Sequence, residues 1–151
     1  MSSRVPGRIP RHRLVLVCVL VILATPSRRL LAQDASAPLQ GRWVVSGAEH
    51  NGKPMTGLNG GVMTITGRAF EIRTASGNML KGTLRLDSTK QPQQMDMIHA
   101  DGVEWEAIYD VSGDTLRLNY VVKGEKDPRP ASFATSEKTE ESLIVLRRQT
   151  K

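Results

Sequence analysis

From Gly41 onward, apolar residues recur at every second position in short runs broken by Gly, Asn, Asp or Pro, the period of half-buried strands. No stretch keeps a helical period beyond two turns. The pattern predicts eight strands, at about 41–48, 61–66, 69–74, 79–87, 94–99, 103–111, 114–122 and 142–149. Between them, "TGR" (66–68), "SGN" (76–78), "ADG" (100–102) and "SGD" (112–114) are short glycine turns, so sequence neighbours are expected to pair as antiparallel hairpins.

Alternation assigns faces. On the sixth strand Val103, Trp105, Ala107, Tyr109 and Val111 share one side, while Glu104, Glu106 and Asp110 share the other with Ile108 out of pattern. The first set is the expected core face, joined by Leu116, Leu118 and Tyr120, by Leu80, Leu84 and Leu86, and by Phe70 and Ile72. Gly82 interrupts the fourth strand, as a sharply bent sheet requires. A run of hairpin-linked strands with one apolar face stacks as a sandwich or curls until first meets last; closure removes both unpaired edges. The expected fold is therefore all-β, a single eight-stranded antiparallel up-and-down barrel.

Two connections are long. Residues 49–60, "EHNGKPMTGLNG", are expected to fold over one end of the sheet. The 19 residues of 123–141 form a polar, proline-interrupted excursion, long enough that an edge strand is expected around Ser132–Thr135.

The first 32 residues read differently. A basic opening (Arg4, Arg8, Arg11, Arg13) precedes an 11-residue apolar run, Leu14–Ala24, a signal-peptide pattern too short for the roughly 20 residues of a membrane span. Residues 1–32 are thus expected to be removed, 33–40 to be a short linker and 41–149 the barrel domain, exported to the periplasm or secreted. Cleavage sites are offered after Ala32 and after Ala37. Six of the 21 Lys and Arg and none of the 15 Asp and Glu lie in the leader, which leaves fifteen of each sign. A neutral mature chain argues against nucleic acid or an anionic membrane as partner. The single cysteine, Cys18, is in the leader, so the mature domain has no thiol for a disulfide, a metal or catalysis. The remaining 119 residues suffice for one core.

At the start of the first strand, Gly41-Arg42-Trp43 resembles the Gly-x-Trp signature of the lipocalin and wider calycin group. The segments "LQGRWVVSGAEHNGKP", "GTLRLDSTKQPQQMDM", "YDVSGDTLRLNY", "RPASF" and "LIVLRR" resemble, in order, an uncharacterised bacterial lipocalin-like domain family of exported proteins, over roughly 39–149. The resemblance implies a structural set, with Trp43 packed across the closed end of the barrel above a close-passing Gly41 and an arginine of the last strand, best matched by Arg148, against its ring. It implies no established activity.

Gly-rich phosphate loops, His-Glu zinc motifs and Gly-x-Ser-x-Gly elbows are absent, and no enzyme, catalytic residue or cofactor is expected. His99, Asp101, Glu104 and Glu106 cluster in "HADGVEWE", but in no specific ligand spacing; the carboxylates read as the solvated side of a strand, and no metal is expected. His50, beside Glu49 and Lys53, reads as a loop histidine. Asp110 and Asp114 read as turn-formers, and "KGEKDPR" (123–129) as a soluble loop. Phe70, Met97, Trp105, Tyr109 and Tyr120 are the expected ligand-binding wall, since an eight-stranded interior is either filled by side chains or holds one small ligand. The expected function is an exported, non-enzymatic binding module enclosing a small, mostly apolar molecule. The alternative is a structural or protein-interaction domain with a filled barrel and contacts through loops 49–60 and 123–141.

Overall fold

A computed structural model describes residues 34–150; the leader expected at 1–32, with Cys18, lies outside the described residues. The described residues form nine strands and two 3-10 turns, one at Ala37–Leu39 before the first strand and one at Thr56–Leu58. The strands are β1 Gly41–His50, β2 Lys53–Pro54, β3 Val62–Thr66, β4 Ala69–Arg73, β5 Met79–Asp87, β6 Gln93–His99, β7 Glu104–Ser112, β8 Thr115–Val122 and β9 Ser142–Arg148. Among the described residues no helix is long and apolar enough to cross a membrane.

The two-residue β2 is only the return arm of a hairpin on β1, pairing His50 with Lys53. The other eight pair antiparallel with their neighbours in chain order, and β1 pairs with β9 from Trp43 opposite Arg148 to His50 opposite Ser142. The sheet therefore closes on itself as an eight-stranded barrel. From Trp43 to His50 every β1 residue but Ser46 has a ladder partner on β9, so the seam leaves no long edge to template aggregation.

Register explains how the core fills. Trp43, Val45, Met63, Ile65, Leu84, Met95, Met97, Ala107, Leu116, Leu118 and Leu146 are all buried in one cluster. Between Val45 and Gly47 the β1–β9 register shifts, so Ser46 is the extra residue of a bulge. A one-residue bulge reverses alternation beyond it. Ala48 thereby packs on the core and His50 comes to the inner side of the rim. Gly82 is fixed by crowding: a Cβ there would collide with the Ile98 carbonyl and lie 2.8 Å from the Phe70 ring.

The structure corrects several expectations. Val103 precedes β7 and is 40% exposed instead of joining the core. Residues 33–40 are no loose linker where described, because Leu39 is fully buried in the core cluster and Ser36 is buried with it. No strand forms at Ser132–Thr135; the 123–141 segment is irregular and lies against the outer face of β6–β8. That cover explains why Ile108, Asn119 and Val121, out of phase with the inner set, are buried. Asn119 Nδ2 donates to the Ser132 carbonyl at 2.8 Å, while Arg129 Nη1 donates to the Ala107 carbonyl at 2.7 Å and its Nη2 pairs with Asp96. The "KGEKDPR" run is thus partly structural, since Asp127 also accepts the Glu140 N–H at 2.6 Å.

Candidate functional site

The barrel has two unlike ends. At the closed end the Trp43 indole is fully buried and its Nε1 donates to the Leu39 carbonyl at 2.8 Å. Arg148 lies over the same ring with its guanidinium carbon 4.1 Å from the centroid, and donates from Nη1 to the Gln40 carbonyl at 2.6 Å and from Nη2 to the Pro38 carbonyl at 2.8 Å. Gly41 adopts φ +112°, and a Cβ there would meet Arg148 Nη1 at 3.5 Å. Glycine therefore serves the positive-φ backbone, while a Cβ would make only an ordinary contact with Arg148. This end is a stopper, and Leu39, the residue that completes it, was hidden in the sequence because a lone leucine before the first strand has no period.

Asp110 and Asp114 do not cap their turn. Asp110 pairs with Arg117 at 2.9 Å across the β7–β8 hairpin, and Asp114 lies 3.5 Å from Arg148 Nε. Beside them a wide surface cleft of about 700 Å³ runs between Asp34, Pro38, Gln93, Tyr109, Arg117 and Phe133. Arg117 stacks on Phe133 at 4.5 Å and is already neutralised by Asp110, so the cleft offers no free charge from that pair.

The lumen is nearly solid. Its cavity is about 30 Å³, walled by Val45, Met63, Met97, Trp105, Leu118 and Tyr120 among others. That is the share of liquid volume of about one water molecule. The expected wall is accordingly divided. Met97, Trp105 and Tyr120 face this void, Phe70 is packed into the core, and Tyr109 is buried with one side on the closed-end cleft. Those five residues do not enclose one ligand.

Above the void, Trp105 and Tyr120 stack at 4.3 Å with their planes 15° apart. Cross-strand registration brings them there: Trp105 stands opposite Val122 and Tyr120 opposite Ala107, one diagonal step apart on the inner face. The pair lines both the void and a recess of about 340 Å³ at the mouth, whose other walls include His50, Met55, Glu125, Glu140 and Ser142. Met55 is carried in by its N–H donating to the Ala48 carbonyl at 2.8 Å. His50 Nδ1 is 2.8 Å from Ser142 Oγ, and its Nε2 is 3.7 Å from Glu140 Oε2, which Asn51 Nδ2 also reaches at 3.3 Å. His50 is thus the last residue of β1, not part of a free loop.

The Ser142, His50, Glu140 series has the residue types of a nucleophile relay. Its placement argues for support instead. Ser142 is buried at the start of β9, held on the end rung of two ladders opposite His50 and Tyr120, without the strained turn that exposes a nucleophilic hydroxyl. Burial raises the Tyr120 phenol above its ordinary value, with a hydrogen bond to Ser142 working the other way, so Tyr120 stays neutral.

His99 is the second histidine at this end. It faces inward between Phe70, edge-on at 5.2 Å, and Trp105 at 4.2 Å, while Nε2 has no hydrogen-bond partner. Burial lowers its pKa, with the charge of Asp101 opposing. The carboxylates of "HADGVEWE" lie elsewhere: Asp101 accepts the Val103 N–H, Glu104 pairs with Lys123 at 3.0 Å and Arg85 at 3.5 Å, and Glu106 lies 4.0 Å from Arg129. Glu104 and Glu106 form an ion-paired outer face, not the freely solvated side that alternation predicts, and Asp101 belongs to the turn before β7. Among the described residues no three His, Cys, Asp or Glu side chains are grouped to hold a metal ion.

Comparison with known proteins places the architecture in context. Among solved structures, a de novo designed fluorescence-activating β-barrel is similar, at TM-score 0.45 and 18% identity over 77% of this chain and 98% of that chain. No family model and no curated protein matches the chain.

Proposed function

We propose that this protein is an exported, lipocalin-like binding module that seats a small, mostly apolar molecule at the mouth of its barrel and performs no covalent chemistry on it. The Gly41-Arg42-Trp43 opening and the arginine over its indole support the lipocalin-like reading. The observation that carries the binding role is the stacked Trp105–Tyr120 pair, which separates a 30 Å³ void from a 340 Å³ recess. A ligand of ordinary size cannot enter the lumen; it can lie on the rings. This moves the site from the enclosed wall expected from sequence to the rim.

The test uses the chain's two tryptophans as opposed reporters, Trp43 in the stopper and Trp105 in the recess. Titration with N-phenyl-1-naphthylamine, a neutral flat probe, is expected to quench emission in Trp43→Phe, where only Trp105 reports, and to leave Trp105→Phe unresponsive. Unchanged emission in Trp43→Phe at saturating probe would count against the recess. That result would favour the second reading, for which the nearly filled lumen speaks: a structural or protein-interaction domain with contacts through loops 49–60 and 123–141.

A further inference from the structure

The closed end of the barrel is only partly covered by its stopper. β6 begins at Gln93, opposite Tyr109, whereas β7 runs on through Asp110, Val111 and Ser112, paired only with β8. On its other side this stretch has no strand among the described residues, and the cleft of about 700 Å³ opens there. Tyr109 and Gln93 share the inward parity of their strands and stand opposite each other at the inner wall of the cleft. The Tyr109 ring is packed in the core and the residue is only 3% exposed, yet its hydroxyl has no hydrogen-bond partner among the described residues. Burial, reinforced by the charge of Asp87, raises this phenol above its ordinary value and keeps it a neutral donor. A polar group set this deep that meets no partner inside the protein must be satisfied from the cleft.

The other groups of the cleft set the class of molecule. Gln91 and Gln93 bring carboxamides, each able to donate and to accept, and Ser88 brings a hydroxyl. Arg117, the cationic side chain of the lining, is paired with Asp110 at 2.9 Å, and Asp34 accepts the Ser36 N–H at 3.0 Å, so an ionic ligand finds little free counter-charge. An apolar ligand would cover the Tyr109 hydroxyl and the amides without replacing their water. An extended peptide is poorly served, because successive strand residues point their backbone groups to opposite sides and the unpaired stretch from Asp110 to Ser112 is too short to template a strand. Ring hydroxyls, which donate and accept alike, match the amides and the phenol, and the C–H faces of a sugar ring match Pro38, Pro92 and Val111. We propose that the closed-end cleft is a second binding site, for a neutral saccharide, with Tyr109 and Gln93 hydrogen-bonding its hydroxyls at the inner wall. It lies at the end away from Trp105 and stands apart from the binding role proposed for the mouth.

The experiment applies the protein to a printed array of neutral, sialylated and sulfated oligosaccharides, and then titrates the strongest-binding neutral member by calorimetry. Neutral members are expected to bind, and the acidic ones to bind less. Tyr109→Phe keeps the ring and removes only the hydroxyl; it is expected to weaken the affinity about fivefold to tenfold, the worth of one hydrogen bond. Its urea midpoint should stay at or above the wild-type value, because no bond inside the fold is lost. Gln93→Met is expected to weaken binding by a similar factor. Binding to no neutral oligosaccharide, preference for the acidic members, or a Tyr109→Phe protein that binds as the wild type does would each overturn the proposal. A lowered urea midpoint for Tyr109→Phe would overturn it as well, by showing that the hydroxyl serves the fold.

Discussion

Arg148 and Trp43 are direct ladder partners across the β1–β9 seam, and the guanidinium lies 4.1 Å over the indole while gripping two carbonyls of the segment that precedes β1. One side chain therefore ties the first strand, the last strand and the entry turn together. The indole on its other side bonds to the Leu39 carbonyl. Closure of the barrel and closure of its base are one event.

Trp43→Ala is expected to cost about 3–5 kcal/mol, the range for emptying a fully buried aromatic site. Arg148→Met should cost about 2 kcal/mol, from the lost cation–π contact and two charge-assisted hydrogen bonds. Arg148→Lys should recover little of it, since a single ammonium cannot fork to both carbonyls. Urea unfolding of the three variants, followed by circular dichroism, measures each value. Lysine as good as arginine would remove the fork from the account.

At Gly82 even a methyl group is too much. The added Cβ meets a backbone carbonyl, which cannot swing aside as a side chain can, and the Phe70 ring at 2.8 Å. Gly82→Ala is expected to destabilise by about 2 kcal/mol or more through overpacking. Pairing it with Phe70→Leu should restore part of that loss, because only the ring contact is relieved.

Arg129 pins the 123–141 excursion to the barrel wall. Replacing it with Met leaves the Ala107 and Met95 carbonyls and the Asp96 carboxylate without their shared donor. The expected loss is about 2–4 kcal/mol, the range for breaking a partly buried charged pair. Limited trypsin digestion should then cut first at Lys123, Lys126 or Lys138, sites that the wild-type protein protects longer. Unchanged digestion kinetics would show that the other anchors, Asn119 and Asp127, suffice alone.

His99 makes stability depend on acidity in a stated direction. Its pKa in the fold is held below the ordinary histidine value of 6.5 by burial, so on acidification the unfolded chain takes up this proton first. The neutral-imidazole contribution is complete above about pH 6.5 and is lost progressively as pH falls from there toward the lowered folded value. Unfolding free energies at pH 7.5 and 5.5 should therefore diverge more for the wild type than for His99→Phe. An identical pH dependence in the two proteins would refute the assignment.

Of the two cleavage sites expected from the sequence, the one after Ala32 fits the stopper better. A cut after Ala37 would remove Ser36, whose carbonyl accepts the Leu39 N–H at 2.9 Å and Gln40 Nε2 at 2.9 Å. It would also remove the Asp34 carboxylate that accepts the Ser36 N–H at 3.0 Å. Intact-mass analysis of the full chain expressed in a secreting host is expected to show a product beginning at Gln33, and an uncut mass would refute the leader expected from the sequence.

The strands and their antiparallel order were legible because two-residue periodicity and glycine turns are local signals. Closure was inferred from edge logic and is observed in the β1–β9 ladder. What escaped the sequence was whatever depends on contacts far along the chain. The Ser46 bulge has Gly47 as its only local sign, one that does not fix the register beyond it, yet it decides that His50 faces the recess. Ile108 looked like an exception on a polar face until the excursion covered it, and His99 was grouped with acidic neighbours although its own parity, shared with Met95 and Met97, points it inward. Aromatic residues on one face could be identified, but not which end of the cylinder each occupied. That needs strand direction as well as parity, and it separates Tyr109 from Trp105.

The Trp105–Tyr120 partition divides the labour of the molecule along its axis. Below the rings every inward side chain answers to its neighbours, so change there is felt as lost stability. Above them the rim residues Met55, Val122, Glu125 and Glu140 border open space, and their identities can drift without disturbing what holds the cylinder shut. In the binding role proposed above, a barrel organised this way would exchange one guest for another by rewriting a handful of rim positions, keeping a single rigid pedestal through many changes of taste.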